Sequence, residues 1–220
     1  MHPDVVMQMC VVCARTNPQA GIAIGPILFI VAILAVLASA IAAGSGSFTA
    51  SSTSEAARAN AAAMLDIGQN LKIGFDRLMG LETGYNSVVI GATNTVNAVD
   101  LFSPSGGGVN PPSTKVAKSG SSWTYPYANI TNLGGAGCTA TTSKRVAVIA
   151  VTDATMCTQL NTYLGNGATP AVADVGNPTT IAEATCLTIP AGLAGKMAGC
   201  YQSNTASYTG FYFYQVLGVR

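Results

Sequence analysis

The stretch Ala20–Ala43, AGIAIGPILFIVAILAVLASAIAA, decides how the rest of the chain is read. No charged residue occurs from Thr16 to Ser54. Residues 22–43 as a helix rising 1.5 Å per residue would be roughly 33 Å long, enough for a hydrocarbon core of about 30 Å. A cleaved secretory signal has an apolar region of only about 7–15 residues, preceded by positive charge. Here the apolar run is longer and Arg15 is the one nearby cation, so residues 22–43 are expected to be retained as a transmembrane or assembly helix. A core helix apolar on every side is the competing reading.

Composition agrees with a chain that needs a membrane or an assembly. Of 220 residues 49% are hydrophobic and 9% charged, against roughly 25% charged in an ordinary soluble domain. The 24 glycines and 10 prolines argue for loop-rich, partly β structure. A formal charge of +1 offers neither a nucleic-acid footprint nor a polybasic patch. The single histidine, His2, leaves the rest of the chain without imidazole for Ser-His-Asp or Cys-His catalysis, or for a His-containing zinc site. No enzyme, cofactor or metal is therefore expected.

After Gly44–Ser47, Ser52 and Glu55 stand at capping-box spacing before an Ala-rich run, where helix is expected to resume or continue. Met64, Ile67, Leu71, Phe75 and Leu78 recur at intervals of three and four as one apolar stripe, with Gly80 as a stop. Beyond Gly84 the chain reads as strand and loop. Ser87–Ile90 and Val96–Phe102 are short β-prone runs, and Phe102–Gly137 is loop-rich with Trp123, Tyr125 and Tyr127 alternating as one strand. Those aromatics suit sheet packing more readily than a sugar-binding platform. Arg145–Val151 (RVAVIAV) is the strongest strand, Asp153 or Thr155 can cap a helix carrying Cys157, Leu160 and Leu164, and Tyr208–Val219 is an aromatic strand.

The polar leader, Gly21, and an uncharged helix running into an amphipathic one together resemble the type IV pilin and pseudopilin family. Ile30-Val31-Ala32-Ile33-Leu34-Ala35-Val36-Leu37-Ala38 is similar to the middle of that family's N-terminal helix. The resemblance implies cleavage by a prepilin peptidase between Gly21 and Ile22, with methylation of the new terminus. It also implies storage in a bacterial inner membrane, then assembly into a helical homo-oligomeric filament, either an extracellular pilus or a periplasmic pseudopilus. Pro26 stands at the fifth mature position, where the family usually has glutamate. Independently of the family, Ala35, Ser39 and Ala43 lie four apart, a spacing that lets helices approach closely.

Six cysteines divide into Cys10 and Cys13 before the span and Cys138, Cys157, Cys186 and Cys200 after it. The four late ones are expected as two disulfides of an exported domain. Short loops of roughly 15 to 20 residues favour Cys138 with Cys157 and Cys186 with Cys200, and no CxxC pair in this group supports zinc. Gly106-Gly107-Gly108 lacks the lysine of a phosphate loop. The expected fold is α+β and pilin-like: a long N-terminal helix, its first half embedded in membrane, packed on an antiparallel sheet. The expected divisions are leader 1–21, span 22–43, amphipathic helix 44–80 and exported β-rich domain 81–220. The alternative to a filament subunit is a membrane-anchored monomer whose exported domain binds a surface, as an adhesin does.

Overall fold

The computed structural model describes residues 24–81, 84–91, 98–135, 137–139, 142–173 and 186–220, with the side chains at 24–28, 37 and 40–53 left aside. In chain order the elements are α1 (Ile24–Gly80), β1 (Tyr127–Asn129), β2 (Lys144–Val151), α2 (Ala154–Tyr163), β3 (Ala171–Ala173), β4 (Leu187–Thr188), β5 (Ala198–Ser203) and β6 (Gly210–Gly218). Single 3₁₀ turns occur at Tyr85–Ser87 and Ala191–Leu193. The chain divides into two compact units between Ser51 and Ser52.

All six strands belong to one sheet of order β3-β5-β6-β2-β1-β4. At its centre β2 and β5 both pair antiparallel with β6, with Val148 opposite Tyr214 and Cys200 opposite Phe213. β1 runs antiparallel to β2, but β4 joins β1 and β3 joins β5 in parallel. The expected architecture is corrected on both counts. Among the described residues no helix is long and apolar enough to cross a membrane. The sheet is mixed rather than antiparallel, with helices packed against it. Its parallel edges are strands of two and three residues reached through long connections, which leave no hydrophobic alternation long enough to read. Val89 and Asp100 form only an isolated bridge where two strands were expected, and Thr124 bridges Val148 ahead of β1.

Alternation along β2 and β6 builds two cores. On one face Ile149, Val151 and Phe213 pack with Met64 of α1 and with Met156 and Leu160 of α2. Ala147 and Leu217, from the same face, pack with Leu71, Phe75 and Leu78. On the other, Val146, Val148, Tyr214 and Val216 meet Ile130, Leu187 and Leu193. The stripe read from the sequence is thus the sheet-facing side of α1, with Met64, Leu71 and Leu78 fully buried. Gly68 allows the close approach, since a Cβ there would stand 3.2 Å from the Phe213 ring and 3.3 Å from Gln215. Ser52 is not a helix cap, because α1 runs through it. Asp153 does cap α2, its carboxylate accepting from the Met156 N–H at 3.0 Å.

Both disulfides form, but with the other connectivity: Cys138–Cys186 and Cys157–Cys200. The favoured pairing is corrected because tertiary placement decides which cysteines meet. α2 lies against β5, which sets Cys157 at a Cα–Cα distance of 5.3 Å from Cys200. Closing loops of 48 and 43 residues costs the unfolded chain about 4 kcal/mol each, against about 3 for the shorter ones, so the entropy model itself favours the observed pairs. Asn161 completes the α2–β5 contact. Its amide donates to the Cys200 carbonyl and accepts from the Cys200 N–H, each at 2.8 Å, while Asn166 donates to Ala198 O.

Candidate functional site

Phe29, Ile30, Val31, Ile33, Leu34 and Val36 of α1 are 43–67% exposed. At 3.6 residues per turn these positions cover roughly 220° of the helix circumference, and Ala32, Ala35 and Ser39, also exposed, fall on the remainder, so no charged side turns to water. Ala35, Ala38 and Ser39 are exposed on the same segment, and the Ser39 hydroxyl turns back to donate to Val36 O at 2.8 Å. Ala43 is helical, its side chain outside the described set. Gly21, Ile22, His2, Cys10 and Cys13 lie outside the described residues. An exposed apolar surface of this kind is suited to association.

In the larger unit the remaining sequence candidates resolve into structural roles. Trp123 stands edge-on to Phe213 and Tyr125 edge-on to Phe102, so the alternating aromatics pack on the sheet and make no platform. The N–H groups of Gly106 and Gly108 donate to Ser103 O, and that of Gly107 to Asp100 O, which leaves the triplet unable to cradle a phosphate. Asp76 is paired with Lys72 at 2.8 Å and Asp66 accepts from Asn70. Among the described residues no three His, Cys, Asp or Glu side chains stand together as metal ligands.

Two features went unread in the sequence. At the end of β6 the Arg220 guanidinium lies 4.4 Å from the Tyr85 ring centre, and Arg145 lies 4.6 Å from that of Tyr127. The Tyr85 hydroxyl donates to Gly218 O at 3.1 Å and accepts from Arg145 N. Burial pushes the Tyr85 phenol up to about 12, against smaller opposing effects from these neighbours. Beside them Lys144 is fully buried, its ammonium donating to Gly135 O, and desolvation lowers its pKa. The second feature is a pair of cavities. One of about 550 Å³ lies between α1 and the Gly107–Pro112 segment, and one of about 230 Å³ lies under Tyr208 and Tyr212.

No protein-family model, curated protein or solved structure matches the chain. Its surfaces alone carry the functional reading. Of these the apolar stretch of α1 departs furthest from what water tolerates. The Tyr85–Arg220 cluster is a lock between chain segments, because its hydrogen bonds end on backbone atoms of β2 and β6. Such contacts join residues far apart in the chain, and no spacing rule announces them.

Proposed function

We propose that the chain is a structural subunit of a filament of the type IV pilus or pseudopilus kind, joined to copies of itself through the apolar stretch of α1. The observation that carries this reading is the exposure of Phe29, Ile30, Val31, Ile33, Leu34 and Val36 over roughly 220° of the helix circumference. Fully burying one such side chain is worth about 1.5–3 kcal/mol. Covering the exposed 43–67% of the six would stabilise an assembly by roughly 5–10 kcal/mol per subunit before association costs. Neighbouring copies of the same helix supply that cover, and Ala35, Ser39 and Ala43 let the backbones approach. The role is not enzymatic. Processing between Gly21 and Ile22 by a prepilin peptidase and export to an extracellular filament or periplasmic pseudopilus belong to the same reading.

Electron microscopy of sheared surface fractions tests it in the native host with its assembly machinery. Wild-type cells should shed filaments containing this chain. Ser39→Phe should abolish them while leaving a folded, disulfide-bonded domain, since overpacking a close helix contact costs about 1–3 kcal/mol per contact. Absence of the chain from wild-type filaments, or normal filaments from Ser39→Phe, would refute the proposal.

A further inference from the structure

Beyond assembly, we infer that Asn166 is a self-modification site at the join of α2 and β5, where the main chain converts the side-chain amide into a carboxylate and the fold sets the rate. The site does not depend on the filament reading. Of the 24 glycines, Gly167 is the one that follows an asparagine. A glycine nitrogen, with no Cβ beside it, is the least shielded and the most easily turned toward the preceding side chain. Gly167 is exposed at φ 87°, and among the described residues its N–H donates to no protein acceptor. The nucleophile is therefore uncommitted. The amide it would attack is held: Asn166 Nδ2 donates to Ala198 O of β5 at 2.8 Å, and the Asn166 backbone N–H donates to Asn161 O at 2.9 Å.

The reaction consumes only water. The Gly167 nitrogen gives its proton to solvent and bonds to Asn166 Cγ; the Cγ–Nδ2 bond breaks and Nδ2 leaves as ammonia. Water then opens the cyclic imide at either carbonyl, restores the Gly167 N–H and leaves a carboxylate, as aspartate or as isoaspartate. The bond to Ala198 is lost as Nδ2 leaves, so the folded chain slows the reaction by that bond's worth, roughly two- to tenfold for one neutral hydrogen bond. The Cys157–Cys200 disulfide ties the same two elements together, so its reduction lets α2 lift from β5 and frees the amide. The change is one-way. A carboxylate has no proton for Ala198 O and sets lone pairs against it, and isoaspartate also lengthens the main chain between residues 166 and 167. Conversion thus marks a chain whose α2–β5 contact has opened, and keeps that contact weakened.

The full chain incubated in mildly alkaline buffer tests this in three forms: oxidised, oxidised in urea, and reduced without urea. Peptide mass spectrometry follows the amide-to-acid mass gain and the paired aspartate and isoaspartate products, with the exposed Asn204 as internal reference. In urea Asn166 should convert faster than Asn204. The oxidised native chain should be slower than the urea-treated one by roughly two- to tenfold, and reduction alone should recover most of that difference. Gly167→Ala shields the nitrogen; compared in urea, where the native φ no longer matters, it should slow Asn166 to the rate of Asn204. Asn166→Asp, which carries one of the products, should let reductant open the Cys157–Cys200 disulfide sooner than in wild type. The inference is overturned if the amide persists in urea, if native and urea-treated chains react equally fast, if reduction changes nothing, or if either substitution behaves as wild type.

Discussion

Asn161 offers a sharp test of how the larger unit is held together. Its side chain is 1% exposed and spends both halves of its amide on the Cys200 main chain at 2.8 Å. Asn161→Ala would leave one N–H and one C=O buried without partners. Each such orphan costs about 1–3 kcal/mol, so the loss should be roughly 2–6 kcal/mol, a large share of the roughly 5–15 kcal/mol that holds an ordinary domain. Asn161→Asp keeps the shape and changes only the donor. An ionised carboxylate can accept from the Cys200 N–H but faces the lone pairs of the Cys200 carbonyl, whereas the protonated acid can donate to it. Burial and that carbonyl both favour the protonated form, so the folded pKa of the new aspartate should lie above its unfolded value of about 3.9. The sign follows from linkage: the variant should be most stable below about pH 4 and lose stability, relative to wild type, as pH rises toward neutrality. Urea unfolding of the oxidised protein from pH 4 to 8, with wild type measured at each pH, reads both effects. An Asn161→Ala variant within about 0.5 kcal/mol of wild type, or an Asn161→Asp variant no worse at pH 7 than at pH 4, would refute the assignment.

The two disulfides should behave differently, because Cys157 and Cys200 are fully buried while Cys138 and Cys186 are partly exposed. Mild reduction with alkylation and peptide mass spectrometry should label Cys138 and Cys186 first; simultaneous labelling of all four would contradict this. Replacing Cys157 and Cys200 together by alanine should lower unfolding stability by about 4 kcal/mol in the loop-entropy model, measured by urea titration. Tyr85, its phenol raised to about 12 chiefly by burial, should contribute stability that is complete below pH about 10 and lost as pH rises through about 12. In Tyr85→Phe that part of the alkaline loss, followed by circular dichroism, should disappear; an unchanged profile would assign the loss to other tyrosines.

What was legible in the chain was what repeats locally. The Met64–Leu78 stripe, RVAVIAV and the Asp153 cap each state their structure within a few residues, and each took the expected place. Connectivity was not legible, because Cys157 meets Cys200 through the docking of α2 on β5, a contact between positions 43 apart in the sequence. Likewise the parallel edge strands are too short to carry alternation. Trp123 and Tyr125 pack on the sheet as their alternation led one to expect, whereas Tyr208 and Tyr212 line a cavity only because β2 and the Thr124 segment meet there. Apolarity from Phe29 to Val36 announces a surface that needs cover, and composition alone does not name the cover.

Site-specific photo-crosslinking from Leu34, which is 59% exposed, tests the central claim most directly. A photoreactive amino acid placed there in the native host, followed by mass spectrometry of the adducts, identifies what covers the helix. The assembly account predicts adducts to residues 22–43 of a second copy of this chain. Adducts confined to lipid or to an unrelated protein would contradict it.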